Sequence, residues 1–131
     1  MQLNPAGKKR LLLNVFYLVF VIGCNNSYSN IKTECVMSKR FVQINQESDG
    51  EFYRAINVDL HGGILFSGFG VMEFGTRFDN NTKLNLDYKQ NKVVFESEHK
   101  MIELHNVGSI CLNKVRKFML KNGMQRFLNI N

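Results

Sequence analysis

The chain has 131 residues, 44% of them hydrophobic and 21% charged, a composition typical of a globular protein and unlike that of a disordered one. Its formal net charge is +6, but Lys8, Lys9 and Arg10 precede the main apolar run, and five more basic residues lie in an acid-free stretch after residue 113. Residues 25–113 are close to neutral, so there is no broad basic face and we expect no nucleic-acid binding.

An apolar run, residues 11–23, begins directly after the basic cluster. This order is the pattern of an export signal or membrane anchor, with the cationic side kept in the cytoplasm. We therefore assign residues 1–24 as a signal or anchor segment, residues 25–30 as a polar linker and residues 31–131 as a periplasmic β domain. The expected location is the bacterial inner membrane, contacted through residues 8–24, with the carboxy-terminal domain in the periplasm.

Three interpretations of the amino-terminal segment stay open. It can be an uncleaved anchor, although thirteen helical residues span only about 20 Å of a hydrocarbon core about 30 Å thick. It can be lipidated at Cys24, because Val21-Ile22-Gly23-Cys24 partly matches the lipobox of bacterial lipoproteins. It can also be cleaved after Ser27-Tyr28-Ser29, which has the small-x-small pattern of a signal-peptide site.

Alternation of apolar and polar residues dominates after the linker and predicts β-strands. Strands are expected over residues 31–37, 41–44, 52–60, 64–66, 74–78, 84–89, 93–98 and 101–104. The segment from Gln46 to Gly50 predicts a hairpin turn, because Asp-Gly supplies positive φ angles. Gly68 and Gly70 predict a bulge or a sharp bend.

The tail of the chain breaks this alternation. Leu112, Val115 and Met119 stand at helical spacing, and Asn122-Gly123 predicts the end of a helix. Residues 127–130 have the pattern of one more strand. The sequence therefore predicts an all-β fold, a small antiparallel barrel or sandwich after a single N-terminal apolar helix, with a short C-terminal helix.

The three cysteines suggest one pair. If Cys24 is lipidated or lies in the membrane, Cys35 and Cys111 remain together in an oxidising compartment. A disulfide between them would close a loop of about 77 residues and contribute up to about 4 kcal/mol in the chain-entropy model. Two separate buried thiols are the alternative, since two cysteines show no spacing motif.

No pattern of catalytic, cofactor-binding or metal-ligating residues emerges, and we expect no enzyme activity. Ser67-Gly68-Phe69-Gly70 is not a dinucleotide loop, because Glu73 stands where the third glycine belongs. His99, Glu103 and His105 share a strand face, but along a strand they lie about 13 and 20 Å apart, too far for one metal ion.

Aromatic residues offer one binding hypothesis. Six phenylalanines can fill the core or line a cavity for an apolar small molecule: Phe52, Phe66, Phe69, Phe74, Phe78 and Phe95. Core filling is favoured, because small barrels are filled by their own side chains.

Several of these features together resemble the FidL-like family of bacterial inner-membrane proteins. They are the basic amino terminus with its single apolar segment, the strand with Glu34-Cys35-Val36, the run 52–60, the turn Gly62-Gly63, the Gly68 and Gly70 pair, and the tail 118–123 leading into 127–130. Members of that family continue for a further strand or two after the segment similar to residues 126–130. The resemblance therefore implies a shortened copy with an incomplete barrel.

The resemblance also implies a role. FidL-like proteins are similar to companions of ToxR-like regulators, membrane-spanning transcription factors with an outer sensory domain. The expected function is that of a membrane-anchored periplasmic accessory protein that pairs with and stabilises such a sensory domain. An incomplete barrel has open sheet edges that a partner's strands can pair. The alternative is a small lipoprotein or periplasmic protein that binds an apolar ligand on its own.

Overall fold

The computed structural model describes residues 30–131, so the predicted apolar helix, nearly all of the linker and Cys24 lie outside the described residues. Within residues 30–131 no helix is long and apolar enough to cross a membrane. The elements are β1 (Ile31–Met37), β2 (Phe41–Ser48), β3 (Glu51–Asp59), β4 (Gly63–Gly68), β5 (Val71–Arg77), β6 (Lys83–Asp87), β7 (Lys92–Glu96), β8 (Met101–Leu104), α1 (Ser109–Lys121), a 3-10 turn (Gln125–Phe127) and β9 (Leu128–Ile130).

Within residues 30–131 the strands form two separate sheets and no closed barrel. The larger sheet has the order β1-β2-β3-β4-β5, so each strand pairs with the next one along the chain. The smaller sheet has the order β8-β7-β6-β9. The predicted β-rich fold with a short C-terminal helix is confirmed, because local alternation and helical spacing are strong signals for element type.

The purely antiparallel prediction is wrong at one pair of strands. β9 runs parallel to β6, with Leu84 opposite Leu128 and Leu86 opposite Ile130. Residues 105–127, which include α1, lie between β8 and β9 and form a crossover long enough to return the chain in the same direction. A parallel pair requires such a connection, whereas a hairpin joins antiparallel strands.

The predicted turn over residues 46–50 is too long. β2 continues to Ser48, and the turn consists of Asp49 and Gly50, both at positive φ. Gln46 is only 1% exposed. Its Nε2 donates hydrogen bonds to Thr33 Oγ1, at 3.1 Å, and to the backbone oxygen of His105. These partners from distant segments offset the desolvation of the amide and allow it to be buried.

The core joins the two sheets through phenylalanine rings. Phe95 of β7 is completely buried and lies with its ring centroid 5.7 Å from Phe66, 5.6 Å from Phe74 and 6.3 Å from Phe78. These three rings belong to β4, to β5 and to the residue after β5, so the Phe95 side chain binds the smaller sheet to the larger one. Contacts at these separations are typical of packed aromatic clusters.

Helix α1 completes the core beside β2. Its buried side chains recur at helical spacing: Cys111, Leu112, Val115, Phe118 and Met119. The helix ends before Gly123, whose φ of +75° is accessible to glycine at little cost. The predicted helix and its stop are both confirmed.

Candidate functional site

Four strands have a neighbour on one side only among the described residues: β1, β5, β8 and β9. Such an edge presents unpaired backbone N–H and C=O groups, which a strand from another chain can pair. Since proteins normally protect these edges, we compared how each one is covered.

The β1 edge is tied to the helix. Cys35 and Cys111 are joined by a disulfide, with their Cα atoms 5.5 Å apart. Lys114 Nζ of α1 donates a hydrogen bond of 3.1 Å to the backbone oxygen of Cys35. Near the start of the strand, Thr33 Oγ1 donates to the backbone oxygen of Asn106 at 2.6 Å. One covalent bond and two hydrogen bonds thus hold β1 against its own domain.

The β8 edge is partly occupied by an arginine. Arg54 Nη1 donates to the backbone oxygen of Glu103 at 2.9 Å, and its Nη2 forms an ion pair with Glu73 Oε1 at 2.7 Å. The β4–β5 register shifts next to Glu73, a bulge of the kind that redirects a side chain. A Cβ on Gly68 would lie 2.2 Å from Glu73 Oε2, so the glycine leaves room for this ion pair.

The β9 edge is protected because the strand is short. The strand has three residues, Leu128–Ile130. Just before it, Lys83 Nζ donates to the backbone oxygen of Arg126 at 2.5 Å. Very short edge strands offer few backbone groups to an incoming chain.

The β5 edge is long and exposed. It has seven residues, Val71–Arg77, and begins with Val71 and Met72, which are 67% and 64% exposed. The N–H of Phe78 bonds the oxygen of Gly62 at 2.9 Å. Because hydrogen-bonded and non-hydrogen-bonded pairs alternate in antiparallel sheets, the backbone groups of Gly75 point to the open side. Gly75 is itself exposed, so an approaching strand can reach these backbone groups.

The six phenylalanines proposed to line a ligand cavity do not lie around one cavity. Phe66 and Phe95 are buried, Phe74 and Phe78 pack against the core, and Phe52 and Phe69 are exposed. Two described cavities, of about 160 and 260 Å³, are lined by other residues. The first lies between the β1–β2 connection and the end of α1, and the second on the outer face of the smaller sheet.

The histidines lie apart from each other, at the surface. The His99 side chain is 89% exposed, and His105 Nε2 lies 3.0 Å from Glu103 Oε1. His61 is exposed in the turn after β3. In the part of the chain that the structure describes, no three His, Cys, Asp or Glu residues are placed to hold a metal ion.

The β5 edge is identified from geometry. Sequence reasoning located a bend at Gly68 and Gly70, but it could not show which strands lie at sheet edges, because strand pairing is non-local. Arg54 gave no signal either, since its partners are 19 and 49 positions away along the chain.

Comparisons with protein-family models, curated proteins and solved structures find no match for this chain.

Proposed function

We propose that this chain is a membrane-anchored periplasmic accessory protein whose β5 edge pairs with a strand of a ToxR-like regulator's sensory domain. The observation that carries this proposal is the unequal protection of the four edges. β1 is bonded to α1, β8 is partly occupied by Arg54 and β9 has three residues, whereas β5 presents seven residues and an open glycine.

The chemistry of the β5 edge fits a protein strand better than a small molecule. An added strand gains affinity from main-chain hydrogen bonds and specificity from alternate side chains. A partner that binds only the folded state stabilises it by about 2.7 kcal/mol at a hundredfold excess over Kd. Since a typical domain has 5–15 kcal/mol of stability, such pairing suffices to protect a companion or its regulator from degradation.

The identity of the partner comes from the sequence. The FidL-like features imply a ToxR-like regulator, and the basic cluster and apolar run of residues 8–24 support attachment to the same membrane as such a protein. Two domains held on one bilayer meet at a high effective concentration, so moderate pairing at one edge is sufficient for a stable complex.

A proline substitution tests the proposal. Gly75→Pro removes the N–H that points away from β4 and adds a ring on the docking side, so the hydrogen bonds to β4 are kept. A Cβ here would lie 3.1 Å from Leu65 Cδ1, the end of a 39% exposed side chain that can shift by a few tenths of an ångström. Co-purification with a ToxR-like regulator produced together with this chain is the measurement. We expect at least about tenfold weaker binding, equivalent to about 1.4 kcal/mol, with little change in Tm.

Gly108→Pro is the matched control. Gly108 lies before α1 with φ −69°, the angle that proline requires, and a Cβ there meets nothing within 4 Å. It should bind the regulator as the unmodified chain does. Equal binding by both proline variants would contradict pairing at β5. Loss of fatty-acid labelling in Cys24→Ala, together with no regulator bound, would favour the solitary lipoprotein instead.

A further inference from the structure

The β4–β5 hairpin ends in an exposed aromatic side chain on a strained backbone. Phe69 is 76% exposed and has φ +52°, followed by Gly70 at +81°. The other non-glycine residues at positive φ in the described part of the chain are Asp49, Asn91 and Asn106. Asp and Asn tolerate this conformation, whereas a bulky residue there is an outlier. Strain of this kind is a reason to look for a role of the side chain.

Apolar exposure extends from Phe69 along the start of β5. Val71 and Met72 are 67% and 64% exposed, and the Phe69 ring meets its neighbour Tyr53 edge-on at 5.8 Å. No residue from 64 to 72 is charged. We call residues 69–72 the apolar tip. Adjacent exposed apolar residues without charge are a feature of surfaces that contact a partner protein or a membrane.

The strand order places the apolar tip at the end of the larger sheet where β1 begins. β1 and β2 are joined by residues 38–40, a connection short enough only for antiparallel strands. The following pairs in this sheet are antiparallel as well. The start of β1, the turn at residues 49–50 and the apolar tip therefore lie at one end, and residues 60–62 at the other.

The linker limits how far the start of β1 can lie from a membrane attachment at residue 24. Residues 25–30 span at most about 20 Å when fully extended. The apolar tip is three to four strand spacings from β1, about 14–19 Å across the sheet. The linker length is the same whether residues 8–24 cross the bilayer or Cys24 carries a lipid. The insertion proposed below rests on the membrane attachment in the proposed function.

We propose that the apolar tip inserts into the periplasmic surface of the bilayer, with Phe69 as its anchor. The neighbouring turn at the same end carries Glu47, Asp49 and Glu51, which must stay hydrated. Insertion is therefore shallow, at the headgroups and the upper acyl chains. The apolar tip has no Lys or Arg, so the contact does not require anionic lipid. With the apolar tip inserted, β5 extends away from the membrane. Its open edge then faces a neighbouring protein anchored in the same bilayer.

Fluorescence of a single tryptophan tests the insertion, because the chain has no tryptophan of its own. The full chain carrying F69W is reconstituted in phosphatidylcholine vesicles that contain nitroxide-labelled lipid. L120W is the control, since Leu120 is 48% exposed near the end of α1, beside Lys121, which lines a cavity with Ser38 of the β1–β2 connection at the opposite end of the sheet. We expect the F69W indole to emit at shorter wavelength and to be quenched more by a nitroxide high on the acyl chain than by one at its end. The L120W indole should show neither effect.

Different failures have different meanings. If the chain floats with the vesicles and the F69W indole is not quenched, the insertion is overturned, while pairing at β5 is unaffected. A shift to shorter wavelength without nitroxide quenching means that protein, such as a second copy, covers the apolar tip, and this also overturns it. V71W is a second probe if circular dichroism shows that F69W does not fold. A chain that does not float contradicts both the membrane attachment and the insertion.

Discussion

The two edges of the larger sheet have the same length but different surroundings. β1 has seven residues and is joined to α1 by the Cys35–Cys111 disulfide and by the hydrogen bond from Lys114. β5 also has seven residues, but it begins with exposed Val71 and Met72. One edge is thus tied to α1 by a covalent bond, and the apolar side chains of the other are more exposed than Val36 and Met37 of β1, which are 43% and 38% exposed.

This difference indicates what each edge is for. An open sheet edge without a binding partner is a hazard, because it can pair with any exposed strand and cause aggregation. The bulge at Glu73 limits this hazard in the first half of β5, where it directs a charged side chain inward to Arg54. The second half, from Phe74 to Arg77, stays in regular register with β4. We interpret that half as the part that receives a partner strand.

Removing the cover of β1 is expected to have the largest effect on stability. Cys35→Ser opens a loop whose ends are 76 positions apart, and loss of a native disulfide of this kind costs about 2–5 kcal/mol. Urea unfolding in detergent, with and without reductant, measures the loss. Cys24→Ser is the control, because it leaves the disulfide intact. A reductant effect of equal size in Cys35→Ser and in the unmodified chain would show that the bridge is not the cause.

Arg54→Met should lower the free energy of unfolding by less than Cys35→Ser does. It removes contacts at both the β8 edge and the β5 edge. It removes the hydrogen bond to Glu103 and the ion pair with Glu73, and a hydrogen bond to a charged group contributes about 1.5–3 kcal/mol. Arg40→Met is the control, since Arg40 is exposed in the β1–β2 connection. Urea midpoints of the two variants are compared. If both lose the same stability, Arg54 does not support the β8 edge.

Local features of the sequence predicted the elements, and non-local contacts decided their arrangement. The alternation from Phe52 to Leu60 and the spacing of Leu112, Val115 and Met119 identified a strand and a helix, because those signals depend on near neighbours. The sequence did not predict that β9 is parallel to β6. That pairing depends on the direction in which the chain leaves α1, which is set by how the helix packs on the sheets.

Residues of the candidate site show the same limit. Gln46 looks like a turn residue next to Asp49-Gly50, yet it is buried because Thr33 and His105 supply hydrogen-bond partners. The pairing of cysteines stayed open for the same reason, since only the fold brings β1 beside α1. Edge position, which defines the candidate site, is likewise a property of the assembled sheets.

Photocrosslinking at the two edges of the larger sheet tests the central claim most directly. A photoreactive amino acid replaces Arg77 on β5 in one variant and Glu34 on β1 in the other, both exposed positions on seven-residue edge strands. The variants are irradiated in cells of the organism that encodes the chain, and adducts are identified by mass spectrometry. The account predicts that position 77 yields an adduct with a membrane protein carrying a cytoplasmic DNA-binding domain, and that position 34 yields none. An adduct with the same protein from position 34 alone, or none from position 77, would contradict it.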